Sequence, residues 1–144
     1  MTSHADKQYE QELKNLKNLI LKMGGMVEEM VAKSVQSLMG RDSQLAEETI
    51  SKDKEVNALE MEIDEACIEM LALRQPAASD LRFITIGLKI SKDLERMGDL
   101  AVNISERVIE INQEPLLKPY EDIPLMAHQA QAMVKGSLDA FVKK

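Results

Sequence analysis

The chain has 144 residues, a formal net charge of −7 at pH 7, a single cysteine, and 3% aromatic residues with no tryptophan. The acidic balance argues against a nucleic-acid partner, which would need a basic face. One thiol excludes an internal disulfide and any multi-thiolate zinc site. Six glycines and four prolines are few beside the abundant Leu, Ile, Glu, Lys and Ala, so the composition predicts an all-α bundle of one domain, or one domain plus part of another.

The first seven residues contain no apolar segment of the secretory type. No later run approaches the ~18–20 apolar residues that span a bilayer. The expectation is a soluble, cytoplasmic chain without direct membrane insertion, reaching a membrane only through partners.

A first helix is predicted over about 7–39. Leu13, Leu16, Ile20, Met23, Val27, Met30 and Leu38 recur at spacings of three and four, with Ser34 filling the gap. Gly24-Gly25 interrupts this face, and a mid-helix glycine costs roughly 1 kcal/mol relative to Ala. The pair marks a local bend, the close approach of another helix, or an open space for a ligand. Gly40 suits the left-handed position after a helix end. Asp42 or Ser43 can cap the next helix, with Glu47 and Glu48 favourable to its macrodipole.

That second helix runs to about 73, with a seam of Leu45, Val56, Leu59, Ile63, Ala66, Met70 and Leu73. Thr49 and Lys52 take expected apolar slots and make a polar notch, with Asp53 and Asn57 alongside. Cys67 lies among Ile63, Ala66 and Met70 and reads as a buried, inert thiol. Pro76 ends the helix by disfavouring α conformation at Gln75, and Ser79 or Asp80 caps the third helix, 81–111.

Two stripes descend this third helix. Ile90, Leu94, Met97, Ala101, Ile104, Val108 and Ile111 form an apolar face. Glu95, Asp99, Asn103 and Glu106 form a polar one. Helical neighbours at i and i+4 sit about 5–6 Å apart at Cβ, so Glu95 and Asp99 repel unless a positive charge intervenes. Lys92, Arg96 or a metal ion could supply it.

Pro115, Pro119 and Pro124 mark a linker, and a fourth helix follows to residue 144. A shift of 103 residues aligns Met23 with Met126, Met30 with Met133, Val31 with Val134, Ser34 with Ser137, Val35 with Leu138 and Leu38 with Phe141. The chain therefore reads as a first three-helix bundle (1–114), a Pro-containing linker (115–123) and the first helix of an incomplete second repeat (124–144). That repeat suggests a fragment of a longer protein. Its last helix is expected to pack on its own bundle or on another copy of the chain, since an isolated helix of this length is marginal in water.

Short connections imply antiparallel neighbours. Folding the second helix onto the third about Pro76 sets Asp53 level with Asp99 and Asn57 level with Glu95. Folding the first onto the second sets Glu28 level with Asp53. Glu95, Asp99, Asp53, Asn57 and Glu28 are thus candidate ligands for a cation. Oxygen donors suit magnesium, calcium or manganese, and carboxylate clusters also take iron. His4 and His128 lie elsewhere, so a Glu-x-x-His di-iron site is absent. The competing reading is a solvated acidic face paired with Lys92 and Arg96.

The turn Arg74-Gln75-Pro76-Ala77-Ala78-Ser79-Asp80-Leu81-Arg82, followed by Asp93-Leu94-Glu95-Arg96-Met97-Gly98-Asp99-Leu100-Ala101-Val102-Asn103-Ile104, resembles the PhoU family of phosphate-uptake and phosphate-regulon regulators. The resemblance implies a protein built of two similar three-helix bundles and an acidic Glu/Asp-x-x-x-Asp motif that binds iron or zinc, here Glu95 and Asp99. It further implies a non-enzymatic negative regulator of the phosphate-starvation response. Its implied partners are a phosphate transporter, through its ATPase subunit, and a membrane histidine kinase. A homodimer is expected. The alternatives are a metal-free structural bundle and a carboxylate-bridged metalloenzyme, which usually needs a base or histidine at an open site.

Overall fold

The computed structural model describes residues 4–113 and 123–143. Among them there are five helices and no strand: α1 (His4–Gly40), α2 (Ser43–Ser51), α3 (Asp53–Arg74), α4 (Ala78–Ile111) and α5 (Ile123–Lys143). The all-α bundle is as expected. The Pro-containing linker lies outside the described residues.

Each boundary has a local cause. Asp42 donates its backbone N–H to the Ser37 carbonyl (2.8 Å) and Arg41 donates to Leu38 (3.4 Å). This is the paired closure of a helix end, but the left-handed residue is Arg41 (φ 53°), not Gly40. Gly40 is the last residue of α1. Asp42 caps α2 by accepting the Leu45 N–H at 3.0 Å. Gln75, at φ 45°, closes α3 just before Pro76. The cap of α4 is Ala77, not Ser79 or Asp80; Asp80 instead accepts a hydrogen bond from the Tyr9 hydroxyl at 3.1 Å.

The single second helix expected from periodicity is two, broken at Lys52. Thr49 Oγ1 donates to the Leu45 carbonyl (2.9 Å) and Ser51 Oγ donates to Glu48 (2.6 Å). Side-chain bonds of this kind compete with the backbone ladder and bend helices. The break lets α2 lie against the C-terminal half of α4 while α3 packs against both α1 and α4.

The core is built on the α1–α4 contact. The two run parallel, since Tyr9 meets Asp80 near their starts and Arg41 reaches the Asn112 carbonyl near their ends. Buried positions on α4 are Ile84, Gly87, Ser91, Leu94, Gly98, Ala101, Ser105 and Val108, a strict alternation of three and four. Leu94, Ala101 and Val108 are as expected. The centre of the face is nevertheless rotated by one residue: Ile90, Met97, Ile104 and Ile111 are half-buried flanks. Small residues hold the centre because helices approach there. A Cβ on Gly87 would come within 2.9 Å of Ile20 Cδ1, and one on Gly98 would touch Val56 and Val27. On α3, Cys67 is buried as expected, whereas Leu73, expected in the seam, is 67% exposed. Leu45 and Ala66 are half-buried, and Ala46 takes the buried place on α2.

The last helix packs on its own bundle. Leu138 lies over Gly24, Gln131 Nε2 donates to the Glu28 carbonyl at 3.3 Å, and Phe141 stacks on Phe83 with ring centroids 4.7 Å apart. Contacts that ascend α5 while descending α1 make the two antiparallel. Gly24 therefore marks a close helix approach, and Gly25 beside it opens onto empty space. Val134, Leu138 and Phe141 are buried, as are Val31, Val35 and Leu38, with which the repeat aligns them. Met133 departs from the pattern: it is 73% exposed, whereas Met30 is buried.

Candidate functional site

The α3–α4 seam is acidic. Its register follows from the antiparallel turn at Pro76: Lys92 Nζ donates to Glu60 Oε1 at 2.9 Å and to Asp64 Oδ2 at 3.4 Å across the seam. Glu95 and Asp99 follow Lys92 along α4, and Asp53, Asn57, Glu60 and Asp64 make one stripe on α3 at helical spacing.

The electrostatics centre on Glu95. Its carboxyl is held above the ordinary value, first by burial, then by the Asp99 charge, the Glu60 charge and a hydrogen bond with Asp99, with Lys92 opposing. Lys92 is shifted up chiefly by its bond to Glu60 and by the charges of Glu60 and Asp64. Asp64 Oδ1 is buried without a hydrogen-bond partner. It also helps raise the Cys67 thiol to about 11, second to burial.

The structure brings together only part of the expected set. Glu95 and Asp99 are neighbours. Asn57 Nδ2 donates to Asp53 Oδ2 at 3.2 Å along α3, and Asp53 sits in the first turn of that helix, where its charge suits the macrodipole. Glu28 has its carbonyl engaged by α5. Among the described residues, no hydrogen bond or ion pair joins Asp53, Asn57 or Glu28 to Glu95, and no three Asp, Glu, His or Cys side chains converge closely enough to enclose a metal ion. Arg96 pairs with Asp93 on its own helix at 3.8 Å, not with Asp99. The donors as placed are a lysine-compensated acidic seam, with two adjacent carboxylates and a third close by, and they do not form a closed metal shell.

Glu60 and Asp64 were missed by sequence reasoning. The signal was present: they continue the Asp53–Asn57 stripe, and Glu60 stands level with Lys92 under the same antiparallel rule. At the end of the bundle the α3–α4 turn is tied to α1. Arg74 Nε and Nη2 donate to Glu12 Oε1 and Oε2 at 3.0 and 3.1 Å, a two-pronged pair that fixes orientation as well as charge.

The family model described as PhoU domain matches residues 20–108. The chain is 43% identical over 133 residues to a protein of Aquifex aeolicus named phosphate-specific transport system accessory protein PhoU homolog, covering 92% of this chain and 60% of that one. It is 40% identical over 144 residues to the Pseudomonas aeruginosa protein of the same name, covering 99% and 60%. A crystal structure of PhoU from Pseudomonas aeruginosa superposes with a TM-score of 0.90 at 40% identity, over 94% of this chain and 65% of that one. The chain thus spans about 60% of the length of these named relatives.

Proposed function

The chain belongs to the PhoU family, and on that premise we propose that it regulates phosphate uptake as a non-enzymatic adaptor. In this reading it stands between the ATPase subunit of a phosphate-specific transporter and a membrane histidine kinase, and it restrains the phosphate-starvation response. It works as a homodimer in the cytoplasm, held at the inner face of the membrane by its partners. No helix among the described residues is long and apolar enough to cross a membrane.

The observation that carries this reading is the close match, in sequence and in fold, to relatives named as accessory proteins of phosphate-specific transport. The exposed side chains of Leu73 and Leu81, on either side of the motif-bearing turn, are in keeping with a protein that works by contact. The test is co-purification of the chain with the transporter and the kinase, with and without chelator, alongside the starvation response of cells lacking the gene. Capture of both partners and a derepressed response are expected. Failure to bind either, with an unchanged response, would remove the adaptor reading.

A second reading concerns cations. Glu95 is shifted up first by burial and then by the Asp99 and Glu60 charges; the repulsive part is what a cation placed beside Glu95 and Asp99 would relieve, and iron, zinc, manganese, magnesium and calcium are the candidates. Binding to the folded state raises stability as RT ln(1 + [L]/Kd). Melting with each ion, in the parent and in Glu95→Ala, decides it: a shift in the parent that Glu95→Ala loses supports the site, and no shift with any ion leaves the lysine-compensated seam alone.

A further inference from the structure

The face where α1 meets α3 carries two adjoining hollows that share Lys22 and Glu62. One, of about 630 Å³, has Leu19, Ala66 and Met70 on its floor and Glu62, Glu65 and Glu69 along its α3 wall. The other, of about 780 Å³, continues past Met26 to the Lys52 break, where Lys33 and Lys52 are paired with Glu29 and Glu55. Together they form a trough beside α3 from Glu55 to Met70, roughly 24 Å long at 1.5 Å per residue.

The trough is charged on one wall. Glu62, Glu65 and Glu69 follow one another at three and four spacing, where like charges oppose helix formation. Glu62 and Glu65 enter no ion pair or hydrogen bond among the described residues. Glu12, the remaining acid of this hollow, is taken by Arg74, and Lys22 is the one basic residue among those lining it. Glu69 shares the Arg74 charge with Glu12, so the free acids of this wall are Glu62 and Glu65; an apolar floor beside two unpaired carboxylates has the complement of one kind of ligand.

We propose that this trough docks a basic amphipathic helix of a partner protein, with apolar residues at i, i+3 or i+4 and i+7 on Leu19 and Ala66, and lysine or arginine toward Glu62 and Glu65. The surface goes beyond the adaptor reading and holds whichever proteins the chain serves.

The probe is a fluorescent helical peptide of about eighteen residues, with leucine at those spacings and flanking lysines, titrated with the whole chain by anisotropy. Its comparator has the same composition with the leucine spacing scrambled. Glu62→Lys/Glu65→Lys alters exposed positions, and melting confirms that the variant folds. It is expected to weaken the patterned peptide about tenfold or more. Glu10→Lys/Glu106→Lys, the same charge change elsewhere, is expected to weaken it less than about threefold. Leu19→Gln, which keeps the net charge, is expected to weaken it as well, with melting confirming that this variant folds. Equal loss in both double variants, or equal binding of the scrambled peptide, would mean unspecific attraction to an acidic protein and would overturn the proposal. So would sedimentation in which the chain self-associates through the trough and Glu62→Lys/Glu65→Lys abolishes it, since the occupant would then be a second copy.

Discussion

Gly24 and Gly25 are adjacent in α1 and see different surroundings. A Cβ on Gly24 would run into the Leu138 side chain of α5, whereas one on Gly25 meets nothing within 4 Å. Gly25→Ala removes only the backbone entropy cost, so it is expected to stabilise by about 0.5–1 kcal/mol. Gly24→Ala makes the same gain but must displace Leu138, which is buried in the main core cluster, at an overpacking cost of roughly 1–3 kcal/mol. The net expectation for Gly24→Ala is a loss of up to about 2 kcal/mol, or a fall in Tm of up to about 8 °C for a chain of this size. Leu138→Ala opens a cavity and by itself costs about 2 kcal/mol or more. In that background the clash is gone and Gly24→Ala should turn stabilising, a coupling of about 1–3 kcal/mol. Urea denaturation followed by helical circular dichroism on the four members of the cycle reads these differences, with unchanged m values confirming a common transition. If Gly24→Ala stabilises the parent as much as Gly25→Ala does, with no coupling to Leu138, then α5 does not close on α1 at this point and the packing argument fails.

Three further outcomes follow from the titrating groups. The raised Glu95 carboxyl means that the folded chain binds this proton more readily than the unfolded one, so stability is lost as pH rises above the usual 4.5. Glu95→Gln, melted with chelator present, should gain Tm at pH 7 and flatten the pH profile; a lower Tm than the parent at pH 7 would contradict this. Burial, with Asp64, holds the Cys67 thiol near 11, so an aromatic disulfide reagent at pH 8 should label it only at the rate of unfolding, and prompt labelling without denaturant would show an open core. Burial and the Asp80 bond raise Tyr9 to about 12, so its neutral form contributes stability up to the ordinary 10.0 that is lost as pH rises toward 12. Ultraviolet titration in a Tyr120→Phe background should show that late midpoint, and Asp80→Asn should bring it earlier.

What was legible in the sequence was what depends on near neighbours in the chain. Spacings of three and four marked the α1 face, Pro76 marked the turn, and the surroundings of Cys67 marked it as buried, because these depend on helical geometry and on the backbone chemistry of single residues. The heights across the α3–α4 seam were also readable, since a short turn fixes which residues stand level, as Lys92 and Glu60 do. The pair Glu95 and Asp99 was legible from the helical repeat, being one turn apart on one helix.

Rotation about each helix axis was not legible, because it is set by which neighbours press on a helix and how closely. On α4 the glycines and serines took the centre and the isoleucines moved to the flanks, since the tightest contact admits the smallest side chains. Leu73 was left outside, and Arg41, not Gly40, took the left-handed turn. A helix that its apolar spacing alone would have continued is interrupted at Lys52, beside the hydroxyl-to-carbonyl bonds of Thr49 and Ser51. Asp53 became the start of α3 while Glu60 and Asp64 took the lysine. The order of the helices and most of their ends are local properties and belong to the chain; the direction each side chain faces is a compromise among three or four packed helices, and only the assembled bundle decides it.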